Sequence, residues 1–156
     1  MQMTDKLAPE QHKKVGDRTV TFLLVEDDEI DKMAIRRALT ELKITNPVVY
    51  ADDGAHALDI LRGIDRDAPL PKPYIVISDL NMPRMDGFEF LKALRADATL
   101  RNTIVFVLTT STDQQDKMKA YEHNVAGYIS KSQPADSLVE ALTMIDRYWR
   151  IVELPN

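Results

Sequence analysis

The stretch YIVISDLNMP, residues 74–83, decides the fold. Its first four residues are apolar, and three of them are β-branched. They do not alternate with polar residues, as they would in a strand with one solvent-exposed face, so they are typical of a strand that is buried on both faces. A carboxylate, Asp79, follows almost at once. The stretch therefore predicts a strand of a parallel sheet with a polar side chain at its carboxyl end.

Four further apolar runs have the same character, and amphipathic segments lie between them. The runs are Val20–Val25, Val48–Ala51, Ile104–Leu108 and, more weakly, Gly127–Ile129. The segments repeat apolar residues at helical spacing in three stripes: Ile30, Ala34, Ala38 and Leu42; Phe88, Leu91 and Leu94; and Leu138, Leu142, Ile145 and Trp149. This alternation predicts an α/β fold of the (βα)5 type, a doubly wound parallel five-stranded sheet with helices on both faces and right-handed crossovers.

Cap and turn residues mark the ends of the predicted elements. Asp86 and Asp113 are suited to cap helices, and Pro134 suits a first helical turn. The segment Gly63–Pro73 contains three prolines, so we expect a rigid, extended loop there. We expect one domain, with the following parts: residues 1–18 as a mobile leader, 19–150 as the folded domain and 151–156 as a C-terminal tail.

The composition excludes several classes of site. Acidic residues outnumber basic ones by 25 to 20, and the net charge of −5 argues against a nucleic-acid-binding surface. The chain has no cysteine, which excludes disulfides, thiolate metal sites and cysteine nucleophiles. Five scattered glycines form no phosphate-binding loop. No apolar run could span a membrane and no signal peptide is recognisable, so we expect a cytoplasmic protein without a membrane partner.

Polar side chains gather where the predicted strands end. Glu26 and Asp27 follow the first apolar run, Asp79 the third, Thr109 the fourth and Lys131 the fifth. Because the carboxyl ends of parallel strands share one edge of the sheet, we expect these groups to form one cluster. Neighbouring carboxylates repel unless a cation neutralises them, and oxygen ligands favour Mg²⁺. With a lysine and a hydroxyl added, the pattern is typical of a phosphoryl-binding site.

Four motifs at these positions, taken together, resemble a known family. They are FLLVEDD at residues 22–28, VISDLNMP at 76–83 with Asp86-Gly87, VLTTS at 107–111 and GYISK at 127–131. In order and spacing they resemble the CheY-like receiver domain of two-component response regulators, over roughly residues 19–145. The resemblance implies the strand order 2-1-3-4-5. It further implies a single-domain response regulator, a phosphoacceptor switch rather than an enzyme, which assists its own phosphorylation and dephosphorylation.

The resemblance also implies a role for each residue of the cluster. Asp79 would be the phosphoacceptor that receives a phosphoryl group from a sensor histidine kinase. Glu26, Asp27 and Asp79 would bind Mg²⁺ together with the backbone carbonyl of Asn81. Lys131 would contact the phosphoryl group.

The same resemblance assigns the switch and the groups that tune it. Thr109 would be the switch hydroxyl, and Tyr128 the aromatic side chain that changes rotamer on activation. Asn81 and Ser111 would modulate hydrolysis of the phosphoryl group. The family usually has a proline after its lysine, often at a cis peptide, whereas here Ser132 stands in that place. Since a cis bond before serine costs about 2.5–4 kcal/mol, we expect a trans peptide and a differently shaped loop.

Two features resemble a narrower group, the stand-alone regulators paired with phytochrome-type histidine kinases. They are the proline-rich loop before the third strand, and the LTTS stretch combined with a C-terminal YW…VELP tail. A downstream protein or a phosphotransfer partner would receive the signal. Apolar residues crowd the end of the chain and need cover, so we also predict a homodimer contact there, made by Tyr148, Trp149, Ile151, Val152 and Leu154.

Two other functions stay open at this point. A Mg²⁺-dependent phosphatase that acts through an aspartyl phosphate would want a second carboxylate two residues after its nucleophile, where Asn81 stands. A receiver-like module that docks without accepting phosphate is compatible with the serine at position 132.

Overall fold

Strands and helices alternate along the chain. The computed structural model describes residues 19–64, 68–131 and 135–155. Within these residues the strands are β1 (Thr21–Val25), β2 (Val48–Ala51), β3 (Tyr74–Ser78), β4 (Val105–Thr109) and β5 (Gly127–Ser130). The helices are α1 (Glu29–Glu41), α2 (Gly54–Arg62), α3 (Gly87–Ala96), α4 (Gln114–Glu122) and α5 (Ala135–Ile151). The predicted alternation of five strands with helices is confirmed.

The strands form one parallel sheet in the order β2-β1-β3-β4-β5. At the carboxyl edge Val25 of β1 lies level with Ala51 of β2 and with Ser78 of β3. Thr109 of β4 lies level with Ser130 of β5 in the same way. The predicted fold class and strand order are confirmed. The order reverses between β1 and β3, and this is the point at which sheets of this kind bind their ligands.

Side chains alternate across the sheet into two apolar cores. In β3, Val76 packs into the core beneath α2 and α3, while Ile75 and Ile77 pack into the core beneath α1 and α5. Every residue of β3 is buried. Burial on both faces explains why this stretch reads as an unbroken apolar run.

The predicted apolar stripe of α1 is wrong in its first half. Ile30 is 77% exposed and Ala34 is exposed as well, whereas Ile35, Ala38 and Leu39 are buried. A step of four residues overshoots one helical turn by about 40°, so a stripe built from such steps winds away from the packed face. The face of α1 that packs on the sheet is therefore centred on Ile35, Ala38 and Leu39 and not on Ile30 and Ala34.

Two of the predicted helix caps are confirmed. The Asp86 carboxylate accepts a hydrogen bond from the Glu89 N–H at 2.9 Å, and the Glu89 carboxylate accepts one from the Asp86 N–H at 3.0 Å, a reciprocal capping box. Asp113 caps α4 by accepting from the Gln115 N–H at 2.8 Å. Pro134, predicted in a first helical turn, lies outside the described residues.

The predicted loop over residues 63–73 is described in part. Gly63 ends α2 with φ of 81°, a left-handed conformation that glycine adopts without strain. Leu70 is buried in the core beneath α2 and α3 and so anchors the loop. Residues 65–67 and the predicted leader, residues 1–18, lie outside the described part. Within the described ranges no helix combines the length and the apolar character needed to cross a lipid bilayer.

Candidate phosphoryl site

Four of the five residues predicted to cluster, Glu26, Asp27, Asp79 and Lys131, bring their side chains together at the carboxyl edge of the sheet. Glu26 follows β1, and its N–H donates to a β2 carbonyl at 3.0 Å. Asp79 follows β3, and its N–H donates to the Val25 carbonyl at 3.0 Å. Lys131 follows β5, and its N–H donates to the Thr109 carbonyl at 2.6 Å. Hydrogen bonds that continue the sheet therefore fix the backbone of all three residues.

Three carboxylates meet in this cluster. Glu26, Asp27 and Asp79 each place one oxygen within 4.8 Å of the others. Glu26 is 1% and Asp79 is 8% exposed, whereas Asp27 is open to solvent. Carboxylates this close repel one another, and burial deprives two of them of water, so a cation would relieve both penalties. The possible ligand atoms are all oxygens, and the cluster is open to solvent at Asp27. This arrangement fits Mg²⁺, an ion that takes few protein ligands and keeps several waters.

Lys131 brings an ammonium group into the cluster. Its Nζ lies 2.6 Å from Asp31 Oδ2, 2.8 Å from Glu26 Oε1 and 3.5 Å from Asp79 Oδ2. The ammonium is thus held more closely by Asp31 and Glu26 than by Asp79. Because Asp27 adds another carboxylate, this single charge leaves the cluster with an excess of negative charge.

Burial and charge act in opposite directions on the pKa values of the buried Glu26 and the partly buried Lys131. Burial raises the pKa of Glu26, and the hydrogen bond from Lys131 offsets only part of that effect. Burial alone would lower the pKa of Lys131, but the hydrogen bonds to Asp31 and Glu26, with the nearby Asp79 carboxylate, hold that pKa above its ordinary value. Lys131 therefore stays protonated at neutral pH and can stabilise a negatively charged group that comes next to Asp79.

Asp31 is the member of this cluster that sequence reasoning missed. It lies in the first turn of α1, where the helix dipole alone favours an acidic residue. Asp28 caps this turn, and its Oδ1 accepts from the N–H groups of Ile30 at 2.8 Å and of Asp31 at 3.1 Å. The capped turn directs Asp31 to Lys131, one hundred residues away. No local signal in the sequence distinguishes Asp31 from other acidic residues of a first helical turn.

Hydrogen bonds connect the predicted switch residues of β4 and β5. Thr109 is fully buried, and its Oγ1 accepts from the Ser111 N–H at 3.3 Å. The Tyr128 hydroxyl donates to the Ser111 carbonyl at 3.1 Å. The Ser111 hydroxyl donates to Asp116 Oδ2 at 2.7 Å, so this side chain is engaged with α4. The geometry predicted for the peptide between residues 131 and 132 lies outside the described residues, which omit Ser132.

The loop between β3 and α3 is tied to the start of α2. Arg84 donates from Nε and Nη2 to the two oxygens of Asp53 at 2.7 and 2.9 Å, a bidentate ion pair. The Gly54 N–H donates to the Met85 carbonyl at 3.0 Å. Burial acts to raise the pKa of the Asp53 carboxyl, but Arg84 and the His56 N–H outweigh it, so this pKa lies below its ordinary value. Asp53 is therefore ionised at neutral pH and holds the loop.

Helix α3 begins in direct contact with the Asp79 segment. The Leu80 N–H donates to Asp79 Oδ1 at 2.7 Å, and the Gly87 N–H donates to the Leu80 carbonyl at 2.8 Å. A Cβ at position 87 would lie 2.6 Å from Leu80 Cα and closer still to the Asp79 carbonyl oxygen. The close approach therefore requires glycine at this position. Asn81, next along the loop, is exposed to solvent.

Comparison with known proteins gives clear matches. The model of the response regulator receiver domain matches residues 22–143. Response regulator Rcp1 of Synechocystis sp. is 31% identical over 135 residues, which cover 86% of this chain and 92% of that protein. A probable methanogenesis regulatory protein, FilR2, of Methanothrix harundinacea is 36% identical over 128 residues, 82% of each chain.

Solved structures agree with these matches. The phosphorylated cyanobacterial phytochrome response regulator RcpA superposes with a TM-score of 0.77 at 31% identity, over 89% of this chain and 100% of that one. The Mn²⁺-bound form of Rcp1 superposes with a TM-score of 0.75 at 30% identity, over 88% and 99% of the two chains. The chain therefore belongs to the response regulator receiver domain family of two-component signalling, with the CheY-like fold.

Proposed function

We propose that this receiver domain accepts a phosphoryl group from a histidine kinase on Asp79, with Mg²⁺, and thereby switches a protein-binding surface around α4 and β5. As a receiver domain the chain is a phosphoacceptor switch and not an enzyme in the ordinary sense. The observation that supports the proposal best is the buried Asp79 carboxylate, which shares one cluster with two further carboxylates and the Lys131 ammonium. Negative charge arriving at Asp79 would be stabilised there.

The proposed transfer is a displacement at phosphorus. An oxygen of Asp79 forms a bond to phosphorus while the bond from phosphorus to a histidine nitrogen of the kinase breaks, and that electron pair leaves with the imidazole. Lys131 neutralises the phosphoryl oxygens. Glu26, Asp27, Asp79 and the Asn81 carbonyl would hold Mg²⁺, which supplies further neutralisation of the transferring group. In the later hydrolysis step water attacks phosphorus, the bond from phosphorus to the Asp79 oxygen breaks, inorganic phosphate leaves, and the Asp79 carboxylate is restored.

The switch is proposed to act through Thr109. Its hydroxyl turns toward a phosphoryl oxygen and gives up the hydrogen bond that it accepts from the Ser111 N–H. The loop after β4 is then free to move. Because the Ser111 carbonyl accepts a hydrogen bond from the Tyr128 hydroxyl, movement of Ser111 breaks this contact as well. Tyr128 turns inward once that contact is lost. The surface formed by α4 and β5 thus takes a second arrangement that a partner can select.

The rival functions have less support. A phosphatase of the aspartyl-phosphate type would use an acid–base carboxylate at position 81, which is an exposed asparagine. A docking module independent of phosphate would have no use for the ion pair between the partly buried Lys131 and the buried Glu26, whose desolvation is unfavourable unless the site binds a charged group.

The phosphoacceptor assignment predicts a complete loss in one variant. With Mg²⁺ and acetyl phosphate, we expect intact-protein mass spectrometry to show one added phosphoryl group on the wild type and none on Asp79→Asn. The amide is not a nucleophile for this transfer. Asp28→Asn, which keeps an acceptor for the α1 cap, is the matched control and should be labelled like the wild type. Label that persists in Asp79→Asn would move the acceptor elsewhere, and sustained release of phosphate from a phosphoester would favour the phosphatase.

The partners are inferred from the relatives. RcpA is a cyanobacterial phytochrome response regulator, and we infer a phytochrome-type histidine kinase as the phosphoryl donor of this chain, in the cytoplasm. A downstream protein or a phosphotransfer partner would read the α4 and β5 surface.

We also propose a homodimer through the C-terminal region. Ile151 and Val152 are exposed apolar residues at the end of α5, next to the partly buried Trp149 and Leu154. We expect sedimentation at tens of micromolar to show a dimer for the wild type and a monomer for the double variant Ile151→Ser, Val152→Ser. The serines remove the apolar surface that the second copy would bury. Ile64→Ser, at another exposed isoleucine, should leave the dimer intact. A wild-type monomer at this concentration would contradict the proposal.

A further inference from the structure

The closest partner of the Lys131 ammonium is not the proposed phosphoacceptor. Lys131 Nζ lies 2.6 Å from Asp31 Oδ2 but 3.5 Å from Asp79 Oδ2. Glu26 Oε1 also accepts from this ammonium, at an intermediate distance of 2.8 Å. An ammonium has three protons to donate, and two of them are directed to residues other than Asp79 at short range.

Asp31 differs from the other partners in its position. Glu26 and Asp79 are buried and held by the backbone at the ends of β1 and β3. Asp31 stands on the first turn of α1, about one-third exposed, and approaches Lys131 from the solvent side of the cluster. It therefore pulls the ammonium toward α1 and away from β3.

We infer that Asp31 is a positioning residue that competes with Asp79 for the Lys131 ammonium. The inference rests on the proposed function, because the competition matters when a phosphoryl group on Asp79 needs the same ammonium. Each proton that Lys131 donates to Asp31 is one that a phosphoryl oxygen cannot accept. The free energy of the Lys131–Asp31 ion pair is lost when Lys131 moves to the phosphoryl group, so Asp31 weakens the phosphorylated state.

A general effect of negative charge can be separated from this competition. Glu29 lies on the same turn of α1 and is also acidic, but its carboxylate binds Lys32 at 3.1 Å. Its removal changes the charge near the cluster by the same amount and leaves the contacts of Lys131 in place. Glu29→Gln is therefore the matched control for Asp31→Asn.

Beryllofluoride with Mg²⁺ is a suitable probe, since it mimics a phosphoryl group on a carboxylate without being turned over. We expect Asp31→Asn to bind it about two- to fivefold more tightly than the wild type, the effect of removing one partly exposed competing ion pair. Asp31→Ser should show the same gain. Asp31→Glu, which keeps the charge, should return to the wild-type affinity, and Glu29→Gln should not differ from it.

A second measurement examines the ammonium itself. In the protein without added metal, the ¹⁵N resonance of the Lys131 ammonium should shift in Asp31→Asn and stay in place in Glu29→Gln. Thermal melting would establish that each variant is folded. An unchanged or weaker affinity in Asp31→Asn and Asp31→Ser, or an equal gain in Glu29→Gln, would overturn the inference. If the wild type binds no beryllofluoride, the proposed function fails, whereas the Lys131 resonance still decides whether Asp31 positions the ammonium.

Discussion

Replacement of Gly87 by alanine is expected to lower the free energy of unfolding by about 2–4 kcal/mol. The same change should weaken the proposed binding of Mg²⁺ at the cluster of Glu26, Asp27 and Asp79. The added methyl would lie 2.6 Å from Leu80 Cα and nearer still to the Asp79 carbonyl oxygen. These are backbone atoms of a buried segment, so no side-chain rotation can make room.

The protein can relieve the steric clash of this substitution by two movements, and both change the surroundings of Asp79. Helix α3 can move away, which breaks the hydrogen bond from the Gly87 N–H to the Leu80 carbonyl. The segment of Asp79 can move instead, which displaces the carboxylate from its neighbours. Stability and cation affinity should therefore fall together.

Urea denaturation and titration with Mg²⁺ would measure the two effects. Gly127→Ala is the control, because a methyl there meets only the Phe106 ring, at 3.1 and 3.3 Å, and no backbone atom of the Asp79 segment. We expect it to cost about 1 kcal/mol or less, with unchanged Mg²⁺ affinity. Equal losses of stability in both variants, or full Mg²⁺ affinity in Gly87→Ala, would contradict the explanation.

Arg95→Met should destabilise the fold by about 3–5 kcal/mol. The Arg95 guanidinium donates to the carbonyl oxygens of His123 and Arg101 at 2.7 Å each, of Thr103 at 2.9 Å and of Asn124 at 3.1 Å. It thereby connects the end of α3 to the end of α4 and to the segment before β4. Burial lowers the pKa of this guanidinium, which nevertheless remains charged at any physiological pH.

The size of this effect follows from what the substitution leaves behind. Methionine fills a similar volume but donates no hydrogen bond, so four carbonyl groups lose a charged donor at once. Arg62→Met is the control, since Arg62 pairs with the Asp97 carboxylate at 3.2 Å in a half-exposed position and should cost less than about 1 kcal/mol. Chemical denaturation with unchanged slopes would compare them. Similar losses in the two variants would show that the carbonyl contacts of Arg95 contribute little.

The sheet could be predicted from the sequence because its physical signal is local and redundant. In β3 a run of buried β-branched residues ends at a carboxylate, and the strand in the structure extends the predicted Tyr74–Ile77 by one residue. The convergence of Glu26, Asp79 and Lys131 follows from the parallel topology alone, because each residue directly follows its strand. No side-chain detail was needed for this part of the prediction.

Contacts that depend on the reach of side chains could not be predicted in this way. Asp31 looks like any acidic residue of a first helical turn, and nothing local links it to Lys131. The bidentate pair of Arg84 with Asp53 likewise requires Arg84 to adopt a φ of 62°, a left-handed conformation that few residues other than glycine adopt. The wrong prediction for Ile30 has a related cause. Periodicity shows that a helix has an apolar face, but over a short stretch it does not determine accurately which residues lie at the centre of that face.

The pairing of Arg84 with Asp53 has a consequence for how fast an ion can associate with the protein. Because this pair is part of the native fold, the conformational entropy of the loop after Asp79 is lost when the chain folds and not when a ligand arrives. A cation that binds at the proposed site would thus meet a preorganised frame and would need no prior closure of this loop. Its association rate should then be limited by diffusion and by exchange of its hydration shell.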